Sequence, residues 1–159
     1  MSERAEALAR RYEQAFDEVV QEVERCPDEK WKETCADTGW PVNVQARHLA
    51  GGATFFVDIF GKIARGEGVT PFPMAALDQG NAQQLEAGRG ATKDEVLAAL
   101  RQARPAMAGF IRGLSDEQLD RRGQFINEIP AMTVEQMIEG IALGELANHG
   151  GALRRASGA

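Results

Sequence analysis

Three short stretches of this chain carry one pattern, and each stands at the start of a segment with helical character. Thr92-Lys93-Asp94-Glu95, Ser115-Asp116-Glu117-Gln118 and Thr133-Val134-Glu135-Gln136 place a hydroxyl residue three positions before Glu or Gln. In that box the hydroxyl accepts from the third backbone N–H while the Glu or Gln side chain bonds back to the cap, so it marks a helix start. Upstream, Ala5, Leu8, Ala9, Tyr12, Phe16, Val19, Val20 and Val23 recur in steps of three and four from Ser2 to about Arg25. That spacing predicts a long amphipathic helix, stopped by Cys26-Pro27-Asp28 because proline cannot continue the ladder. A loop carrying Trp31 and Trp40 follows. A second helix is expected from Asn43, as its N-cap, to about Ala64.

Gly66 to Gly90 is broken by glycines and prolines and reads as a loop-rich segment, with a short helix over Met74 to Leu85. The third helix runs from Thr92 to about Leu114, with a kink or break expected at Pro105. Residues 120–131 read as a loop or short extended segment, and the last helix runs from Thr133 to about Arg155. Four long helices with weak strand signal predict an all-α fold, an antiparallel four-helix bundle, as a single domain over 1–159.

The chain has only two histidines. His48 shares a helix face with Val44, Gly52, Phe55 and Ile59. His149 lies four residues after Glu145, so both project from one face of the last helix, with Ile141 and Ala152. Both stripes face the core. A buried carboxylate is costly unless it is paired, and bundle cores commonly commit such groups to metal ions. Two imidazoles and a carboxylate match the donor sets of catalytic sites that keep one coordination position open. The competing reading is two hydrogen-bonded core histidines beside an ordinary helical Glu–His contact. Gly51-Gly52 and Gly150-Gly151 flank the histidines, although each glycine weakens a helix by about 1 kcal/mol relative to alanine. Close helix approach, or room for a ligand, would account for them.

Composition excludes several classes. A net charge of −6 with dispersed arginines argues against binding nucleic acid through phosphates. No apolar run approaches the roughly 20 residues that span a bilayer, and the charged N-terminus has no signal-peptide core. A cytoplasmic protein with no membrane partner is expected. Cys26 and Cys35 match no zinc spacing and are expected as free thiols.

Trp31, the Gly39-Trp40-Pro41-Val42 turn, Val44-Gln45-Ala46-Arg47-His48-Leu49-Ala50 and the Glu145/His149 pair together resemble the DinB/YfiT-like four-helix-bundle family. Within it they are most similar to the N-terminal domain of mycothiol-dependent maleylpyruvate isomerases. Many DinB-like proteins carry a third histidine on the last helix; the isomerase branch has glutamate there, as this chain has Glu145. The resemblance implies one divalent metal, zinc or sometimes nickel, held by His48, Glu145 and His149. It further implies an S-transferase acting on small electrophiles with a low-molecular-weight thiol of the mycothiol, bacillithiol or glutathione type, and a homodimer. The reacting group is then a thiol or water at the metal, since a bound cation lowers the pKa of either. The isomerases carry a second domain that helps build their site, and this chain ends at Ala159, so a partner subunit is expected to complete the pocket. Arg47, Arg89 and Asn81 are candidates for binding substrate, the arginines by gripping carboxylates. Trp31 and Trp40 are expected to pack around the first loop. A non-catalytic metal- or ligand-binding stress-response protein and a metal-dependent hydrolase are the alternatives.

Overall fold

The computed structural model describes residues 1–158. Four long helical runs make the bundle: α1 (Glu3–Arg25), α2 (Val42–Ala64), α4 (Lys93–Arg112), and a last run formed by α6 (Val134–Met137), a π-helical turn (Ile138–Ala142) and α7 (Leu143–Ser157). Between α2 and α4 lies α3 (Met74–Gly88). Short α5 (Asp116–Asp120) and a two-residue antiparallel ladder, β1 (Arg122–Gly123) with β2 (Met132–Thr133), connect α4 to α6. All three sequence boxes cap helices with both reciprocal bonds present.

Helix direction can be read from the ion pairs. Arg112 near the end of α4 meets Glu6 near the start of α1, and Arg101 meets Glu24, so α1 and α4 are antiparallel. Arg4 pairs with Glu135 and Arg154 with Glu22, so the last run is parallel to α1. His48 early in α2 meets Glu145 late in the last run, which makes those two antiparallel. Gly61 lies against Phe110 at the far ends of α2 and α4, and Arg47 and Ala99 share a groove at the near ends, so this pair is parallel. α1 and α2 each pack on α4 and α7, which leaves the two on opposite corners. Thus two neighbouring pairs are antiparallel and two are parallel.

That topology explains the long connection after α2. A parallel neighbour requires the chain to return the length of the bundle, and α3 makes the return. Phe72, two residues before α3, packs against Phe55 in the second half of α2, and the last residue of α3, Gly88, packs against Val44 and Arg47 near the start of α2. The short helix expected over Met74 to Leu85 begins at the expected residue and runs three residues further, to Gly88.

One expectation is corrected outright, and of the kink or break expected at Pro105 the break is excluded. Asn43 does not cap α2. Its Nδ2 donates to Arg89 O at 3.0 Å and to Gly88 O and Ala91 O, tying α2 to the α3–α4 link. The cap position belongs to Pro41, and the loop supplies the missing acceptors: Val42 N–H donates to Glu33 O and Asn43 N–H to Trp31 O. Gly39, at φ +74°, makes the tight turn that folds this loop back. At Pro105, α4 continues without a break. Its neighbours Ala103, Met107, Ala108 and Ile111 are buried, and that packing outweighs one lost backbone bond.

The core runs the length of the bundle and includes Phe16, Phe60, Leu100, Met107 and Ile138, all with essentially no exposed surface. Burying each such side chain stabilises the fold by roughly 1.5–3 kcal/mol. Cys26 and Cys35 are buried free thiols, and burial raises the pKa of both. No helix among the described residues is long and apolar enough to cross a membrane.

Candidate metal centre

His48 and Glu145 come together because α2 and the last run cross head to tail. His48 is only 8% exposed, and its Nε2 lies 3.6 Å from Glu145 Oε1, too far for a hydrogen bond. The two imidazole rings meet edge to face, with centroids 5.1 Å apart. Ligand atoms from His48, Glu145 and His149 all lie within 4.8 Å of one another. Among the described residues these are the three whose chemistry and spacing suit one cation. The structure therefore brings together all three residues singled out from the sequence.

Each member is oriented by neighbours. Gln84 on α3 accepts from His48 Nδ1–H at 2.9 Å, which leaves the lone pair on Nε2, the nitrogen facing Glu145. Trp40 packs edge-on against His48, centroid to centroid 5.2 Å. Gln45, fully buried, donates its amide to His149 O at 3.3 Å and accepts from Thr38 Oγ1 at 2.5 Å. Glu145 fits because position 52 is glycine: a Cβ there would stand 3.0 Å from Glu145 Oε2. Gly150 serves helix approach instead, since a Cβ there would stand 3.2 Å from Val19 on α1. Thus one glycine of each pair has a reason in packing.

The site also departs from an ordinary buried cluster. His149 Nδ1 is buried without any hydrogen-bond partner, an arrangement that costs about 1–3 kcal/mol unless something else satisfies the nitrogen. Two neutral imidazole nitrogens and an anionic oxygen form a donor set that suits zinc or nickel. The residues present therefore fit such an ion. In the metal-free protein, burial works against charging His48, but Glu145 and Gln84 outweigh it, so its pKa is raised. Burial and the neighbouring His48 lower that of His149.

Above His48 and Glu145 opens a cavity of about 500 Å³. Phe55, Phe72, Phe125 and Ile129 form much of its wall, and Asn81 and Gln84 supply neutral polar groups. Phe55, expected on the inner stripe of α2, is 37% exposed and stands in this wall. His149 lies behind His48, outside the cavity lining. Arg47 lies in a second groove of about 400 Å³ on the other side of Gln84. Arg89 pairs with Glu86 and lines neither cavity. Trp31 is structural: it is buried, and its Nε1 donates to Ala91 O at 2.9 Å.

Sequence reasoning missed Gln84, Gln45 and Trp40 as supports of the centre. Gln84 gives no sequence signal, because α3 is only weakly amphipathic and nothing marks which side faces α2. Gln45 was findable, since it stands three residues before His48 inside a buried stretch where an amide needs partners.

Fold and site together define an α-helical bundle protein with a two-histidine, one-carboxylate centre beneath an aromatic cavity. The family model of the DinB superfamily matches residues 11–153, and the chain belongs to that superfamily. Among solved structures it is similar to YfiT from Bacillus subtilis, described as a probable metal-dependent hydrolase with an unusual four-helix bundle topology. The match has a TM-score of 0.78 at 20% identity and covers 99% of this chain and 88% of that one. No curated protein matches the chain.

Proposed function

We propose that this protein is a metal-dependent thiol S-transferase, in which His48, Glu145 and His149 hold one divalent ion, zinc or nickel. Such an ion supplies a Lewis acid with a free coordination position, where a low-molecular-weight thiol loses its proton near neutral pH. Gln84 keeps the His48 lone pair on Nε2, and Gly52 leaves Glu145 its space. The phenylalanine wall keeps water from a thiolate and holds the apolar body of a small electrophile. Asn81 offers an amide donor to a carbonyl of that substrate.

The observation that supports this reading is the cavity lining: among the described residues His48 and Glu145 are its only ionisable side chains, and both belong to the candidate donor set. Attack by a thiolate needs no further base. Hydrolysis of an amide needs a proton donor for the leaving group, and no free one lines this cavity. A hydrolase remains the second reading, supported by the description of YfiT.

The test is elemental analysis of chelator-free protein and of His149→Ala, followed by assays of bimane or dinitrophenyl electrophiles with a panel of thiols. The expected result is stoichiometric metal and thiol conjugation, both lost in the variant. Metal with ester or amide turnover but no conjugation favours the hydrolase. Metal with no turnover across either panel favours a non-catalytic binding protein, and absence of metal from well-folded wild type sinks both enzyme readings.

A further inference from the structure

Among the described residues Arg47 is the one half-buried cation without a partner. Nearly every other arginine is held by a carboxylate or a carbonyl, including Arg4, Arg104 and Arg112 on the bundle faces. Arg47 has no ion-pair or hydrogen-bond partner among the described residues, although it is half-buried. Arg25, the other unpaired arginine, is exposed. The side chain of Arg47 passes over Gly88 of α3, its Cδ and Nη1 lying 3.4 Å from where a Cβ on that glycine would stand, and it is half-buried there. A half-buried guanidinium with its donors free has less side-chain freedom to lose on meeting an anion than an exposed one.

The groove around it is built for one negative charge. Thr54, Gln84 and Gln102 add neutral polar groups, and no Asp or Glu lines it. The charge is a single cation, which matches a carboxylate held by two parallel N–H···O bonds; a phosphate dianion would call for more. The groove adjoins the aromatic cavity beside the metal centre. Gly51 and Gln84 line both it and the aromatic cavity, and Gln84 is the residue bonded to His48. Position 51 has no side chain to divide the two spaces.

We propose that the groove between α2, α3 and α4 is a carboxylate subsite, with Arg47 as its anchor, for a ligand whose other end reaches the metal centre past Gly51. The identity of that ligand as the thiol co-substrate rests on the S-transferase reading; the subsite itself does not.

Metal-free protein tests the subsite alone. Hexanoate and hexanamide are titrated into wild type and Arg47→Gln, with binding followed by NMR, including the Arg47 Nε–Hε signal. Hexanoate is expected to bind at least tenfold tighter than hexanamide and to shift that signal. In Arg47→Gln the preference disappears while hexanamide binding is unchanged, and Arg47→Lys retains part of it. Equal binding of the two probes to wild type, or a preference that survives in Arg47→Gln, overturns the proposal. The zinc-loaded protein then tests the connection, with 6-mercaptohexanoate and 6-mercaptohexanamide as probes. The acid is expected to bind tighter than both its amide and hexanoate, with the advantage over the amide lost in Arg47→Gln; 6-mercaptohexanoate binding no tighter than hexanoate overturns the link. Failure to take up zinc defeats the metal reading and leaves the hexanoate result standing on its own.

Discussion

Replacing Gly52 by alanine should push stability and metal affinity in opposite directions. Gly52 is buried inside α2, where alanine gains about 0.5–1 kcal/mol from lower backbone entropy in the unfolded chain. Set against this is the contact its Cβ would make, 3.0 Å from Glu145 Oε2. That oxygen ends a flexible side chain only partly buried, so the carboxylate gives way by a few tenths of an ångström at little cost to the fold. Metal–oxygen bonds tolerate about 0.2 Å, so the same shift takes Glu145 out of place as a ligand. The metal-free variant should therefore melt roughly 1–4 °C higher than wild type, at roughly 2–4 °C per kcal/mol for a chain of this size. Its metal affinity should fall roughly 10–100-fold, the range seen when the groups supporting a ligand are disturbed. Calorimetry on metal-free protein and competition with a chromophoric chelator measure the two quantities. Gly51→Ala is the control, because its Cβ meets Gln84 Oε1 at an ordinary 3.7 Å; it should gain stability and keep its metal affinity. If Gly52→Ala binds metal as well as wild type does, the argument that this glycine makes room for a ligand is wrong.

The two imidazoles of the metal-free protein should titrate apart, His48 above the ordinary 6.5 and His149 below it. The His48 contribution to stability is then present below pH 6.5 and lost as pH rises through its raised pKa. The neutral form of His149 is favoured by the fold, so its contribution is present above 6.5 and lost as pH falls through its lowered pKa; NMR titration giving coincident or reversed values would contradict this. Deleting Gly140, exposed in the π turn, should convert that turn to α-helix and leave metal binding intact. Deleting exposed Ala147 should rotate His149 about 100° away from the Glu145 face and abolish metal binding, and equal effects of the two deletions would count against the register argument. Leu100→Ala, at a site with no exposed surface, should cost about 2–5 kcal/mol in denaturant unfolding, and a loss below about 1 kcal/mol would mean the core is not packed there as described.

The last helical run shows why the sequence reading of the site succeeded although the backbone was partly misjudged. Between Val134 and Ser157 one buried row, 134, 138, 142, 146, 150, 153 and 157, with Met137 and Ala152 buried beside it, advances by four, four, four, four, three and four residues. Those six steps span 23 residues, where six α-helical turns span about 22. The π turn absorbs the excess, upstream of Glu145. Because Glu145 and His149 both lie beyond it, on an unbroken α-helical stretch, their i,i+4 relation held regardless.

The sequence alone determined the local and periodic features. Reciprocal caps at Thr92, Ser115 and Thr133, the apolar stripe of α1, and the shared face of Glu145 and His149 all depend on residues within a turn or two of each other. Such features are encoded by neighbours along the chain. Only the tertiary structure decided that α2 and α4 run parallel, which gave the helix expected from Met74 its role as the return α3 and brought Gln84 onto His48. It also decided that Asn43 ties α2 to the α3–α4 link and that α4 passes through Pro105 unbroken. In each case a contact between residues far apart in sequence outweighs a local preference of about 1–3 kcal/mol, and no spacing within one segment records which distant partner will supply it.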